Sequence, residues 1–160
     1  MIGDEAKAQI SSARPRMTAT VMEQTALDED VLHRLVDRFY GKVRADPMLG
    51  PIFEARVADW DRHLERMVDF WSSVALMTGR YHGQPVPAHV PLPVDASHFN
   101  HWLDLFRETA REVSTPAGAE HLIERAERIA RSLHIAVELG KAPPGAVPTF
   151  PPPLRGSGDA

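Results

Sequence analysis

Among the side chains that could do chemistry in this sequence, four stand out by residue type and position: His63, His89, Tyr40 and Trp102. A neutral imidazole is a common metal ligand and proton carrier. A buried tyrosine hydroxyl or indole N–H needs a hydrogen-bond acceptor, which is either a backbone carbonyl or a ligand in a cavity. Because the chain has no cysteine, a bound metal would need histidine, methionine, tyrosine, carboxylate or backbone oxygen as its ligands.

The two histidines each allow two interpretations on local grounds. His63 shares the apolar face of a predicted helix with Trp60 and Met67, which is typical of a core histidine and also of a ligand or a gate. His89 lies in the segment GQPVPAHVPLP, whose prolines restrict the backbone on both sides of it. It is either an exposed loop histidine or an imidazole held at a fixed angle against a flat partner.

The elements that must position these residues are predicted to be helices. Apolar residues recur every three or four positions in four segments, which is the period of an amphipathic helix, and no convincing strand competes. Caps and helix breakers set the predicted boundaries. The helices are Asp28–Ala45, capped by Thr25 or Asp28; Asp59–Thr78, ended by Gly79; one from Asp95 or Ser97 to Val113; and one from Thr115–Pro116 to Gly140. A Pro/Gly corner at Ala45–Phe53 has room for one short turn.

Length and composition predict one all-α domain between two tails. Residues 1–24 have weak apolar periodicity and predict a disordered N-terminal extension, whereas 25–140 form the helical domain. Residues 141–160 hold six prolines and predict a disordered Pro-rich tail.

Charge and hydropathy predict neither nucleic acid nor a membrane as a partner. The net charge of −4 provides no basic surface for either, and no apolar run reaches the ~20 residues that span a bilayer. The acidic start resembles no secretory signal, so we expect a cytoplasmic protein. The sequence also has no HExxH metal motif, phosphate-binding loop or Ser/His/Asp arrangement. His98 and His101 are either ligands spaced by three or, as we expect, exposed residues of a helix start, and His121 and His134 lie on charge-rich helices and are expected to be solvated.

Three motifs occur in a specific order: RFYGKVRADPMLGPIF at 38–53, WDRHLERMVDFWSSVALMTGRYHGQPVPAHVPL at 60–92 and HFNHWLDLF at 98–106. Together they resemble the truncated haemoglobins, and within that family the third group. The likeness covers roughly residues 28–139. It implies a truncated globin, two helices over two, around a non-covalent b-type haem that binds O2, NO or CO.

The resemblance also assigns roles to the chemistry-bearing residues. It implies that His89 is the proximal iron ligand and that Tyr40 and Trp102 donate hydrogen bonds to the distal ligand. His63 matches the distal histidine, which in this group looks more like a gate than the main donor. Six further residues are expected to contact the haem: Phe39, Phe53, Met67, Phe70, Trp71 and Tyr81.

The resemblance leaves the reaction open. Two donors in an apolar pocket, at about 1–3 kcal/mol each, would slow O2 release by about 10²- to 10⁴-fold, which suits redox chemistry or sensing better than transport. NO dioxygenation or a peroxidase-like reaction is therefore an alternative, with an unnamed reductase as partner. The alternative of another class is a haem-free helical interaction module.

Overall fold

The computed structural model describes residues 2–83 and 92–141 of the chain. Within these ranges the backbone forms six helices and no strand, so the predicted all-α class is confirmed. In chain order the helices are α1 (Ile2–Thr25), α2 (Glu29–Ala45), α3 (Gly50–Arg56), α4 (Trp60–Leu76), α5 (Ala96–Val113) and α6 (Pro116–Gly140).

Helix α2 lies at the centre of the fold. Its start is fixed by Asp28, whose carboxylate accepts a hydrogen bond from the Val31 N–H at 2.9 Å, as expected for an N-cap. Helices α3, α4 and α5 all pack against α2. This requires an apolar surface on most of its circumference, and seven of its side chains are buried: Val31, Leu32, Leu35, Val36, Phe39, Tyr40 and Val43.

Two helix pairs form the body of the domain. Helix α2 packs on α4, and α5 packs on α6, while contacts from α2 to α5 and from α4 to α6 join the pairs. Stacked aromatic rings fill the space between them: Phe106 lies 4.7 Å from Trp71 and 5.4 Å from Trp102, centroid to centroid. This packing agrees with the predicted arrangement of two helices over two.

Helix α4 ends earlier than its sequence predicted. Asp59 caps its start as expected, but the helix stops at Leu76 rather than at Thr78. The next residue, Met77, adopts a left-handed conformation with φ of 61°, and its N–H bonds to the carbonyls of Ser72 and Ser73. Glycine usually occupies such a position, so a methionine there gave no signal in the sequence.

The N-terminal residues differ most from expectation. Where the sequence predicted a disordered extension, the structure has helix α1, which contains Pro15 and packs against α4 and α6. The Thr18 hydroxyl donates to the Leu76 carbonyl at 2.6 Å, and Val21 and Met22 pack on the core. Because α1 makes few apolar contacts with the core, its apolar residues show little helical periodicity. The sequence pattern therefore did not reveal this helix.

The corner after α2 holds a seven-residue helix, α3, where the sequence predicted one short turn. The Asp46 carboxylate accepts hydrogen bonds from the N–H groups of Met48 and Leu49 at 3.0 and 2.9 Å. At Gly50 a Cβ would lie 2.7 Å from the Arg44 carbonyl oxygen, so this close approach of α3 to α2 requires glycine.

Some predictions concern residues outside the described ranges. These are His89, the prolines at 85, 87 and 91, and the part of the predicted tail from 142 to 160. Among the helices that the structure describes, none combines the length and apolar character needed to cross a membrane.

Candidate functional site

One face of helix α4 is apolar but only partly covered by the rest of the protein. Its members recur every three or four residues and therefore share a face: Trp60, His63, Met67, Phe70 and Val74, all half-buried. The neighbouring face, with Val68, Trp71 and Ala75, is buried in the core. The half-buried face is thus a surface on which a large apolar group would find contacts.

Tyr40 of α2 lies beside the first half of this face. Its side chain is 5% exposed, and its ring meets the rings of His63 and Phe53 edge to face at 5.3 and 5.9 Å between centroids. Burial raises the pKa of Tyr40 far above its ordinary value, and nearby Tyr81 adds to this. The hydroxyl therefore stays protonated at any physiological pH and can act as a hydrogen-bond donor.

His63 contacts both Tyr40 and Trp60. Its ring meets the Trp60 ring edge to face at 5.6 Å, and its Nε2 atom is buried. Trp60 also approaches Tyr40, at 6.2 Å between ring centroids. Tyr40, Phe53, Trp60 and His63 form what we call the distal cluster, in which one hydroxyl and one imidazole are surrounded by aromatic rings.

Trp102 of α5 belongs to the adjacent layer. Its ring is half-buried, stacks on Phe106 and meets the edge of Phe39 at 5.2 Å. Phe39 in turn contacts Tyr40 at 5.1 Å, so Phe39 separates the two predicted donors. The structure brings Tyr40 and His63 into direct contact and places Trp102 one ring away.

The remaining predicted contact residues fall into two groups. Phe70 and Tyr81 meet edge to face at 5.1 Å and are both half-buried, as is Met67, one helical turn after His63. Phe39 and Trp71, by contrast, are only 1% and 2% exposed and belong to the core behind the half-buried face.

Sequence reasoning missed a polar contact close to Trp102. His101, interpreted as an exposed residue of a helix start, places its Nε2 2.5 Å from an Asp46 carboxylate oxygen, which joins α5 to the corner before α3. Burial tends to raise the pKa of Asp46, but the hydrogen bonds from His101, Leu49 and Met48 outweigh it and lower that pKa. The partners are 55 residues apart, and no local pattern in the sequence links them.

Two other histidines also have structural partners. His121 and His134, interpreted as solvated, are half-buried. The Nε2 atom of His121 lies 2.9 Å from the Ala75 carbonyl oxygen near the end of α4, and the His134 ring stacks on Phe99 at 5.0 Å. Both correct the sequence interpretation, because each residue lies between helices that pack together.

Elsewhere the described structure offers a groove but no cluster of metal-ligating side chains. Within residues 14–83 and 92–141, whose side chains the structure describes, no three His, Asp or Glu side chains lie close enough together to hold a metal ion. An open groove of about 590 Å³ lies between α5 and α6. Three of the residues along it are the glutamates Glu120, Glu124 and Glu127, and the distal cluster contributes none.

Comparison with known proteins identifies the family. The model of the family described as bacterial-like globin matches residues 20–135. The group 3 truncated haemoglobin ctb of Campylobacter jejuni is 32% identical over 114 residues, which are 68% of this chain and 90% of that protein. The group 2 truncated haemoglobin YjbI of Bacillus subtilis is 27% identical over 111 residues, 68% of this chain and 84% of that one.

The fold agrees with these sequence matches. The crystal structure of the group III truncated haemoglobin from Campylobacter jejuni superposes with a TM-score of 0.64 at 32% identity, covering 68% of this chain and 89% of that one. Helices α2 to α5, most of α6 and the distal cluster lie within the region that the family model matches, whereas most of α1 lies before it. The chain therefore belongs to the bacterial-like globin family, as a truncated haemoglobin similar to those of group III.

Proposed function

We propose that this protein binds haem b non-covalently and, through it, small ligands such as O2, NO and CO. Membership of the globin family supports the cofactor, and the absence of cysteine leaves no thioether attachment. The observation that carries the proposal is the half-buried apolar face of α4 beside the buried hydroxyl of Tyr40.

The residues present suit a large planar apolar group. Phe53, Met67 and Phe70 offer half-buried apolar surface, and burying it against a porphyrin is favourable by about 25 cal/mol per Å². His89 is the proposed proximal ligand, by resemblance. When bound, the haem iron would supply a coordination position for a diatomic ligand.

In this proposal Tyr40 is the principal donor to the ligand. Its hydroxyl stays protonated because burial raises its pKa, and aromatic rings surround it. A hydrogen bond from such a desolvated donor stabilises a ligand that carries partial negative charge by about 1–3 kcal/mol. The indole N–H of Trp102 is the second donor, because it can only donate.

His63 is proposed to gate the site and to keep Tyr40 in place. Its ring contacts both Tyr40 and the half-buried Trp60, and it covers part of the Tyr40 ring. A small rotation of the imidazole would open a path to the hydroxyl without moving Tyr40 itself.

The second candidate is enzymatic. Two donors that hold O2 firmly give slow release, which favours NO dioxygenation or a peroxidase-like reaction over O2 transport. Consumption of NO by the O2-loaded protein, sustained by an added reductant, would favour this activity. A single turnover with no recovery would instead favour ligand storage or sensing.

Absorption spectroscopy tests the cofactor assignment. The purified protein should show a Soret band in ferric, ferrous and CO-bound states, and His89→Ala should lose it or require added imidazole to regain it. His33→Ala, at an exposed position of α2, is the control and should leave the spectrum unchanged. Folded protein that takes up no haem would contradict the proposal and favour a helical interaction module.

A further inference from the structure

The outer side of the distal cluster is covered by three residues from three helices. Arg44 from the last turn of α2, Glu54 from α3 and Trp60 at the start of α4 contact one another, and we call them the surface triangle. The Glu54 carboxylate accepts from Arg44 Nε at 3.1 Å and from Trp60 Nε1 at 3.4 Å. The Arg44 guanidinium lies 4.3 Å from the centroid of the Trp60 ring, which closes the triangle.

Trp60 connects this triangle to the buried donor. Its ring meets His63 at 5.6 Å and Tyr40 at 6.2 Å, and His63 meets Tyr40 at 5.3 Å, so these three rings contact one another. The contacts therefore run from solvent inward: the side chains of Arg44 and Glu54 are 46% and 49% exposed, Trp60 and His63 are half-buried, and Tyr40 is buried.

The backbone alone does not fix the position of the Trp60 ring. Trp60 is the first residue of α4, and only residues 57–59 separate that helix from α3. A side chain in a first helical turn has no preceding turn to pack on. Its orientation therefore depends on side-chain contacts, which are those with Tyr40 and His63 on the protein side and those with Glu54 and Arg44 at the surface.

We infer that the surface triangle of Arg44, Glu54 and Trp60 controls ligand access to the Tyr40 hydroxyl by holding Trp60 against His63. This rests on the proposed function. When the triangle is intact, the His63 ring is confined by its contacts with both Trp60 and Tyr40. When a contact is lost, Trp60 moves away more often, the imidazole can rotate, and a small molecule passes.

The energies of the contacts set the expected size of the effect. An exposed ion pair and an exposed cation–π contact are weak. Removing either should therefore raise the fraction of molecules in which Trp60 has moved away from His63 by about 2- to 5-fold. Because the triangle does not touch the bound ligand, it changes the barrier and not the end states. Association and dissociation rates should therefore rise by the same factor, with the equilibrium affinity unchanged.

Flash photolysis and stopped-flow measurements with CO on the haem-loaded protein test this inference. Glu54→Ala and Arg44→Gln should each raise both CO rate constants by about 2- to 5-fold and leave Kd within a factor of two. Glu112→Ala is the matched control, because it removes ion pairs of Arg38 and Lys42 on the same helix α2 without touching Trp60. That variant should leave both rates unchanged.

A second measurement tests whether the surface triangle holds Trp60, independently of the ligand rates at the haem. Hydrogen exchange of the Trp60 indole N–H, assigned with Trp60→Phe in the CO-bound protein, should accelerate in Glu54→Ala and Arg44→Gln but not in Glu112→Ala. Unchanged exchange would overturn the claim that the triangle holds Trp60. Faster exchange with unchanged CO rates would overturn the claim that ligands pass Trp60.

The Soret band distinguishes a failure of the proposed function from a failure of the inference about the surface triangle. A wild-type protein without a Soret band would overturn both the haem assignment and the gate. A normal Soret band with CO rates unchanged in all variants would overturn the gate alone. A change in Kd without a change in association rate would also overturn it, since that pattern indicates an effect on the bound state.

Discussion

Polar groups lie near both ends of helix α4, in contrasting surroundings. At its start, the hydroxyl of Tyr40 and the imidazole of His63 lie among aromatic rings. At its end, the buried Ser72 hydroxyl lies 3.0 Å from a Glu29 carboxylate oxygen and 2.7 Å from the Thr78 hydroxyl. Arg80 completes this second group by pairing with Glu29 at 2.8 Å.

The partners of these polar groups distinguish the candidate site at the start of α4 from a structural joint at its end. In the polar cluster of Glu29, Ser72, Thr78 and Arg80, polar groups bind one another, which fixes the chain after α4 against the start of α2. In the distal cluster, a protonated hydroxyl is surrounded by apolar edges, where a hydrogen bond to a ligand is worth more than in water. The same helix thus holds the fold together at one end and, in the proposed function, contributes to the ligand site at the other.

The largest expected effect is at Tyr40. In the haem-loaded protein, Tyr40→Phe should raise the O2 dissociation rate at least about tenfold, because the lost hydrogen bond is worth more than 1.4 kcal/mol. Stopped-flow displacement of O2 by CO measures this rate. Ser72→Ala is the control from the other end of α4, and an equal rate in Tyr40→Phe and wild type would place Tyr40 among the structural residues.

Ser72 should show the opposite behaviour. Ser72→Ala should lower the free energy of unfolding by about 1–2 kcal/mol, because a buried hydroxyl with two partners is lost, and should leave O2 dissociation unchanged. Urea unfolding followed by circular dichroism measures the stability. Thr20→Ala, at an exposed position of α1, should stay within about 0.5 kcal/mol of wild type. A faster O2 release in Ser72→Ala would remove the contrast between the two ends.

The smallest expected effect on the free energy of unfolding is at Asp46, and this effect depends on pH. Its pKa is lowered in the folded protein, so its contribution to stability is present above the unfolded pKa of about 3.9 and is lost as pH falls through the lower folded value. Asp46→Asn should cost about 1 kcal/mol at pH 7, and this difference from wild type should shrink below about pH 4.

Urea unfolding of both proteins between pH 7 and pH 3 checks this expectation. Asp104→Asn, at an exposed carboxylate on α5, is the control and should show a much smaller difference. A cost for Asp46→Asn that stays constant down to pH 3 would contradict the role of the charged carboxylate beside His101.

The sequence predicted the helices that follow amphipathic rules and missed those that do not. Asp28, Asp59 and Thr115, which cap their helices, lie where the sequence predicted helix starts, because each precedes a periodic apolar run; the sequence left Thr25 as an alternative cap to Asp28. Helix α1 was missed because it uses few apolar contacts, and the end of α4 was misplaced because Met77 adopts a glycine-like conformation.

The candidate site was predictable in its residue types but not in its contacts. Apolar spacing placed His63 on one face with Trp60, and the ordered motifs pointed to Tyr40 and Trp102. Neither source indicated that Phe39 lies between Tyr40 and Trp102, or that His101 binds Asp46. Such pairs join residues from different helices, and local spacing carries no information about them.

The sequence by itself determined the all-α class, the helices α2, α4, α5 and α6, and the family to which their motifs belong. These follow from local periodicity, capping and the order of motifs, which are properties of neighbouring residues. The tertiary structure decided which polar groups meet aromatic rings and which meet each other. That choice depends on how helices cross, so only the packed chain distinguishes Tyr40, whose ring lies among aromatic rings, from Ser72, whose hydroxyl contacts Glu29 and Thr78.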